Sequence, residues 1–378
     1  MSFLLWLLLP VAAASGWLVA QHQKRRKPII SHLSPDYLKG LNYWLREEPD
    51  KAIDILIKLI DVNNETFETH LALGVLFRRR GEVNRAIHIH QNIIKIPTLD
   101  PQQRNLALFE LAHDYQNAGL FDRAEDVFKD LLIVESYQIP ALSQLLKIYE
   151  QEQEWGKAIE IAQKLAKLSG KKMPIAQYYC EQAENYREQG QTNRAQQLIQ
   201  QALHTDPFCV RASFIEAGLA LEKNNYKQAI IAFQRVVKQD HEYFIEIIED
   251  LHDCYQAIGQ VDEFKTYLLK ILNCYNDITP VLSLAKIIQQ QLGTEQAINF
   301  IAKQMSSRPS LCSINSFLAL SKLDNNLLLL HNAITQLLKN KAFYKCNNCG
   351  FTARKLYWHC PSCKQWNTMK SIQGIDGN

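Results

Sequence analysis

The sequence predicts an all-α protein: a superhelical solenoid of paired helices, entered through an N-terminal transmembrane helix and closed by a small four-Cys metal ribbon. Three observations predict it. An alanine-centred motif returns about every 34 residues, an uncharged apolar run fills Ser2–Ala20, and four of the nine cysteines crowd the last tenth of the chain. The composition agrees. With 47% apolar and 21% charged residues over 378 positions, a disordered chain is excluded. Gly (14) and Pro (12) are scarce, and Leu, Ile, Ala, Gln and Lys dominate, which favours helix over strand. The net charge is 42 − 39 = +3, and Lys24, Arg25, Arg26 and Lys27 supply four of the positive charges. The rest of the chain is near neutral and carries no electrostatic footprint for nucleic acid.

The N-terminal run, SFLLWLLLPVAAASGWLVA, spans roughly 28 Å as a helix at about 1.5 Å per residue, close to the hydrocarbon thickness of a bilayer. A cleaved signal peptide is the rival, since Ala12–Gly16 offers small residues. Signal peptides carry their positive charges before the apolar run, however, and here Lys24–Lys27 follow it. Residues 1–21 are therefore expected to be an uncleaved single-pass anchor and residues 22–32 a basic juxtamembrane linker. By the positive-inside rule the following chain stays cytoplasmic. Five scattered cysteines, Cys180, Cys209, Cys254, Cys274 and Cys312, suit a reducing compartment better than a disulfide framework. They read as fillers of helical patterns, with no cue for reactivity.

Residues 33–340 carry the repeats. Ala52, Ala86, Ala124, Ala158, Ala195, Ala229, Phe264 and Ala297 occupy one position of a recurring motif, with spacings of 34, 38, 34, 37, 34, 35 and 33. That is the period of the tetratricopeptide repeat. An aromatic stands nine residues earlier at Tyr43, Phe77, Tyr115, Tyr149, Tyr186 and Tyr255, and Gly stands five earlier at Gly81, Gly119, Gly190 and Gly259. Gly40 and Gly74 lie twelve before the motif alanine, and Pro207 and Pro309 close their repeats. Small residues let paired helices approach, and Gly serves the turn between them. Eight modules are readable, and Leu311–Asn340 supplies a ninth, degenerate pair, giving about nine units. Such arrays present a groove, built from the first helix of each pair, that holds peptides or partner proteins. Arg78-Arg79-Arg80 near one helix end reads as a solvated terminus. His88 and His90, two apart on a helix, do not share a face.

Residues 341–378 form the predicted metal-binding domain. Cys346, Cys349, Cys360 and Cys363 make two Cys-x-x-Cys pairs ten residues apart, and Gly350 permits the turn after the first pair. Four thiolates in tetrahedral array suit one ion, zinc or iron. With every position filled by protein, the site reads as structural, stabilising a segment too short to fold on a core of its own. Phe351, Tyr357, Trp358 and Trp366 are expected to pack around the two knuckles. His359 is not needed as a ligand. Six basic residues and no acidic one occur between Lys341 and Lys370, which leaves an RNA-binding ribbon as a minor reading.

The anchor, the repeats and the four-Cys ribbon together resemble the lipopolysaccharide assembly protein B family of Gram-negative bacteria. The resemblance is sharpest in Tyr344-Lys345-Cys346, Cys349-Gly350-Phe351-Thr352 and Leu356-Tyr357-Trp358-His359-Cys360-Pro361-Ser362-Cys363. It extends to Pro35-Asp36-Tyr37 and Gly40-Leu41-Asn42-Tyr43. It implies a rubredoxin-like ribbon whose metal ligands are Cys346, Cys349, Cys360 and Cys363. It also implies a non-enzymatic adaptor at the bacterial inner membrane that regulates lipopolysaccharide synthesis. Its implied partners are a membrane-anchored AAA+ protease, the lipid A-committing deacetylase and other lipopolysaccharide assembly proteins. Nucleic acid is not expected as a partner. The rival functions are an iron-loaded redox or electron-transfer module and an RNA-binding ribbon on a repeat scaffold.

Overall fold

The computed structural model describes residues 39–40, 42–43, 66–274, 278–307, 309–321 and 325–372. The expected anchor (1–21), the basic linker (22–32) and the repeat centred on Ala52 lie outside the described residues. Among the described residues no helix is long and apolar enough to cross a membrane. The chain divides into two compact units, Met1–Ala141 and Leu142–Asn378.

In the first unit α1 (Phe67–Arg79), α2 (Val83–Ile94), α3 (Pro101–Asn117) and α4 (Phe121–Leu131) form two antiparallel pairs, and α5 (Glu135–Gln151) begins. Phe67, Leu73, Phe77, Ala86, Ile89, Ile93, Leu99 and Ala107 make its buried cluster. Asp100 starts α3 by accepting a hydrogen bond from the Gln102 amide at 3.0 Å, with Pro101 in the first turn.

The second unit holds the rest of α5, joined to α6 (Trp155–Ser169) by the Gln153 turn, and five further pairs. These are α7 (Ile175–Glu188) with α8 (Thr192–Thr205), α9 (Val210–Glu222) with α10 (Tyr226–Gln239), α11 (Phe244–Ala257) with α12 (Val261–Cys274), α13 (Thr279–Leu292) with α14 (Thr294–Met305), and α15 (Leu311–Leu320) with α16 (Asn325–Asn340). A 3₁₀ turn, His241–Tyr243, bends the chain between α10 and α11. The ribbon closes the unit with β1 (Tyr344–Cys346), β2 (Thr352–Ala353) and β3 (Met369–Ser371), an antiparallel sheet in the order β2-β1-β3.

The repeated residues sit where close helix contact demands them. Ala86, Ala124, Ala158, Ala195, Ala229, Phe264 and Ala297 are all fully buried. The turn before each is the same in six repeats. The residue five before the motif position lies in the left-handed region: Gly81, Gly119, Gln153, Gly190, Asn224 and Gly259, at φ between 54° and 82°. The next amide then reaches back to the carbonyl five residues earlier at 2.8–2.9 Å, as in Glu82 to Phe77, Glu154 to Tyr149 and Gln191 to Tyr186. This is the six-to-one bond that satisfies an orphan carbonyl at a helix end. A cation just before the alanine covers the aromatic of the preceding helix: Arg85 over Phe77, Arg123 over Tyr115, Lys157 over Tyr149 and Arg194 over Tyr186, at 5.4–5.9 Å. Periodicity in the sequence thus becomes a repeated turn and a repeated ring contact.

Candidate metal centre and its seat on the helices

Two knuckles of one design bring the four cysteines together. Cys346 ends β1; its amide donates to the Phe351 carbonyl at 2.7 Å and its carbonyl accepts from Gly350 at 2.9 Å. In the second knuckle the Cys360 amide donates to Gln365 at 3.0 Å and its carbonyl accepts from Lys364 at 3.0 Å. The left-handed turn residue is Gly350 in the first (φ 78°) and Lys364 in the second (φ 56°). Only the glycine could be read from the sequence.

All four Sγ atoms lie within 4.8 Å of one another. Cys346 to Cys363 and Cys349 to Cys360 are each 3.7 Å. A tetrahedron with metal–sulfur bonds of about 2.3 Å has edges of about 3.8 Å, so this sulfur set fits a single zinc or iron ion. The surroundings favour thiolate at Cys346 and Cys363. The Thr368 hydroxyl, 3.2 Å from Cys346 Sγ, is the leading reason this thiol is drawn down to about 6, and amides of Cys349 and Asn348 add to it. The Asn348 side chain lowers Cys363. Cys360, fully buried, is pushed up to about 11 by loss of solvent, against the amides of Cys363 and Ser362. One metal ion could therefore be held by the four sulfurs.

The aromatic residues of the ribbon divide in a way the sequence does not predict. Phe351 packs beside the buried Cys346, Cys360 and Met369, as expected, together with Tyr344 and Leu356. Trp358 and Trp366 instead lie against the helices, and Tyr357 is exposed. Trp366 meets Tyr178 of α7 edge-on at 5.9 Å and Trp155 of α6 at 6.4 Å, with the Arg211 guanidinium of α9 at 6.0 Å over its ring. Glu150 of α5 accepts from the Tyr178 hydroxyl at 2.6 Å and stands 3.5 Å from the indole nitrogen of Trp366. Trp358 stacks on Tyr243 at 5.3 Å and meets Phe214 of α9 at 5.6 Å. His359 is no ligand: its ring stacks on Trp366 at 4.3 Å and its Nε2 donates to the Lys364 carbonyl at 2.9 Å.

A polar rim completes the seat. Lys370 of β3 pairs with Asp240 and lies 3.5 Å from Glu242. Tyr344 of β1 donates to Glu246, and the Ser371 hydroxyl meets the Glu242 carbonyl at 3.3 Å. Burial raises the Glu246 carboxyl above its ordinary value, opposed by the Tyr344 hydrogen bond. Part of the ribbon's basic excess is thus neutralised by one acidic corner between α10 and α11.

In the first unit Arg78-Arg79-Arg80 departs from its sequence reading, whereas His88, exposed, and His90, buried, lie on different faces as expected. Arg78 is not a solvated helix end: it pairs with Asp114 at 2.7 Å and Glu110 at 2.5 Å, while Arg79 and Arg80 are exposed. His90 is fully buried, donating from Nδ1 to Asp114 at 2.5 Å. A Cβ on Gly74 would stand 2.4 Å from the His90 ring, which explains that glycine. The signal was present in the register. Four residues after the motif position the other repeats place Phe128, Ala162, Ile199, Phe233, Leu268 and Ile301; His90 is the polar exception, and Asp114 takes a place that is Leu76, Ile148, Leu219, Cys254 or Ile287 elsewhere and polar again at Asn185. Of the scattered cysteines, Cys180, Cys209 and Cys254 are buried, whereas Cys274 is exposed and Cys312 half-buried.

Comparison with known proteins bears on both parts. The family profile described as "Rubredoxin metal binding domain" matches residues 344–371, and "Tetratricopeptide repeat" matches residues 180–242. "Lipopolysaccharide assembly protein B" of Escherichia coli (strain K12) is 38% identical over 385 residues, covering 99% of each chain. The protein of the same name from Haemophilus influenzae (strain Rd) is 36% identical over 394 residues, again covering 99% of each. A helical repeat array and a four-Cys ribbon, aligned end to end with these relatives, place the chain in the lipopolysaccharide assembly protein B family.

Proposed function

We propose that this protein is a non-enzymatic adaptor of lipopolysaccharide assembly. Residues 1–21 tether it to the bacterial inner membrane, residues 22–32 hold the flank on the cytoplasmic side, the repeats occupy 33–340 and the metal-binding domain 341–378. The observation that carries this reading is the end-to-end alignment with proteins named for lipopolysaccharide assembly. The seat of the ribbon supports it. Trp358, Trp366 and Lys370 bind the ribbon to side chains spread from Glu150 to Tyr243, so ribbon and helices form one surface on which a partner can rest. In this reading Cys346, Cys349, Cys360 and Cys363 are the ligands of one ion, whose role is to hold the knuckles folded.

The adaptor restrains synthesis by presenting the lipid A-committing deacetylase to the membrane-anchored AAA+ protease. Depletion of the protein tests it. Deacetylase abundance and lipopolysaccharide content should both rise as the protein disappears. Unchanged deacetylase turnover during depletion would overturn the proteolytic reading.

A further inference from the structure

Two buried cysteines with no role in the ribbon face each other in the second unit. Cys180 lies within α7, and Cys209 caps the start of α9 after the turn that follows α8. Their sulfurs are 3.9 Å apart, and both side chains are out of solvent. They sit in a cluster of small residues, Ala176, Ala183, Ala195, Ala202 and Ala212 among them. The sequence separation of 29 gave no hint of this pairing.

The surroundings are polar where a plain hydrophobic filler would need nothing. Gln177 donates from Nε2 to Cys209 Sγ at 3.4 Å. Arg211 and Ser213 follow Cys209 in the first turns of α9. Gln177, Arg211 and Ser213 are all at least nine-tenths buried. Each keeps one polar atom without a hydrogen-bond partner among the described residues: Gln177 Oε1, Arg211 Nε and Ser213 Oγ. Buried polar atoms are ordinarily satisfied, so these three need an explanation. Gln177, whose Nε2 already meets Cys209 Sγ, has its Oε1 left to accept a hydrogen bond from a small solute. The hydrogen bond from Cys180 and the Ala212 amide draw Cys209 below the ordinary thiol value, while burial pushes Cys180 well above it. A helix N-terminus favours a thiolate; the Arg211 guanidinium adds less, since it is paired with Glu181 and Glu184.

We infer that Cys180 and Cys209 form a reversible redox pair, oxidised to a disulfide by hydrogen peroxide, with Cys209 as the attacking thiol and Cys180 as the resolving one. The Cys209 thiolate attacks one peroxide oxygen. An S–O bond forms, the O–O bond breaks, and the departing hydroxide takes up the proton that Cys209 released and leaves as water. Cys180 then attacks the Cys209 sulfenic sulfur. The S–S bond forms, the S–O bond breaks, and the hydroxyl leaves as water with the Cys180 proton. Two thiols lose two electrons and one peroxide becomes two waters. The sulfurs must close by about 2 Å to reach bonding distance, a movement on the scale of a cysteine side-chain rotation. Phe208, the residue before Cys209, is 72% exposed, so the pair lies one residue from the surface.

The pair neighbours the ribbon's seat. Tyr178, two residues before Cys180, and Arg211, two after Cys209, are the residues on which Trp366 rests. Oxidation therefore acts directly beneath the docked ribbon.

The test uses the full-length, metal-loaded protein, treated with hydrogen peroxide, unfolded in an alkylating agent and mapped by peptide mass spectrometry. The expected product is a Cys180–Cys209 linked peptide, two hydrogens lighter than the sum of its parts and released by dithiothreitol. In Cys180→Ser, a dimedone adduct should appear on Cys209; in Cys209→Ser, none should appear on Cys180. Exposed Cys274 is the internal control for delivery of oxidant. If Cys274 is oxidised while Cys180 and Cys209 both remain alkylatable, the pair is core filler and the inference fails. A linked peptide that forms only in urea-unfolded protein would overturn it equally.

Discussion

Trp358 lies ring on ring with Tyr243, centroids 5.3 Å apart and planes 27° from parallel, and the Tyr243 hydroxyl donates to the Met369 carbonyl at 3.2 Å. One tyrosine from the bend between two helices thus holds both the loop that carries Trp358 and strand β3 of the ribbon. Lys370 adds its ammonium 4.2 Å over the same tyrosine ring. The aromatic faces supply area, and the hydroxyl and ammonium fix the orientation.

Trp358→Ala should therefore loosen the ribbon without emptying it. The stacked pair and the Phe214 edge contact are lost, at a cost of about 2 kcal/mol for a half-buried tryptophan. Hydrogen exchange should quicken in 344–371 and around Tyr243, while metal analysis still finds about one ion per chain, because the knuckle bonds lie elsewhere. Unchanged exchange in both segments would show that the contact carries no energy.

The division of the ribbon's aromatics marks the limit of what the sequence discloses. Two Cys-x-x-Cys pairs define a knuckle by local geometry alone, so the four cysteines were legible. Trp358 and Trp366 look like local core in so short a segment; their partners, Tyr243 and Tyr178, lie more than a hundred residues away and share no pattern with them. The repeats behaved in the same way. Gly at the turn could be read, yet Gln153 and Asn224 adopt the same left-handed conformation without announcing it. There the surrounding helix contacts impose a backbone that opposes Gln153 by about 1–2 kcal/mol and that Asn224 tolerates more readily.

Arg78 separates a buried charge from its exposed neighbours. Arg78→Ala leaves the Asp114 carboxylate, fully buried, with His90 as its remaining partner, and should destabilise the first unit by about 3 kcal/mol. Arg79→Ala and Arg80→Ala should each change stability by less than about 0.5 kcal/mol. Urea unfolding of the three variants checks it; equal effects would mean that the Arg78 pairs are no more than surface contacts.

Glu246 sets a pH dependence. Its carboxyl is raised above 4.5 by burial, so the folded chain holds this proton to higher pH than the unfolded chain. Over that window folding takes up a proton, and stability falls as pH rises through the raised value. Above the window the cost of the buried charge is fully present; below 4.5 both states are protonated and it vanishes. Glu246→Gln keeps an acceptor for Tyr344 and removes the charge. The variant should melt higher than the parent at about pH 7 and converge with it near about pH 4. A constant difference across that range would assign the effect to packing.

Replacing Cys346 and Cys349 together with Ser removes two of the four thiolates, and the remaining pair cannot complete a tetrahedral site. Metal content should fall from about one ion per chain to near zero. The knuckle around Gly350 then has only its two backbone bonds to hold it, so β1 should lose its register with β3, and Trp358 should leave Tyr243. The helices should keep their circular dichroism, because the buried cluster from Val210 to Ile287 comes from the helices and the turns between them, and the ribbon adds only Leu356 and Trp358 at its edge. In cells this variant distinguishes two roles for the ribbon. A jointly formed partner surface predicts the depletion phenotype, with the deacetylase accumulating and lipopolysaccharide in excess. Loss of metal with normal deacetylase levels would reduce the ribbon to a terminal brace and leave partner binding to the repeats.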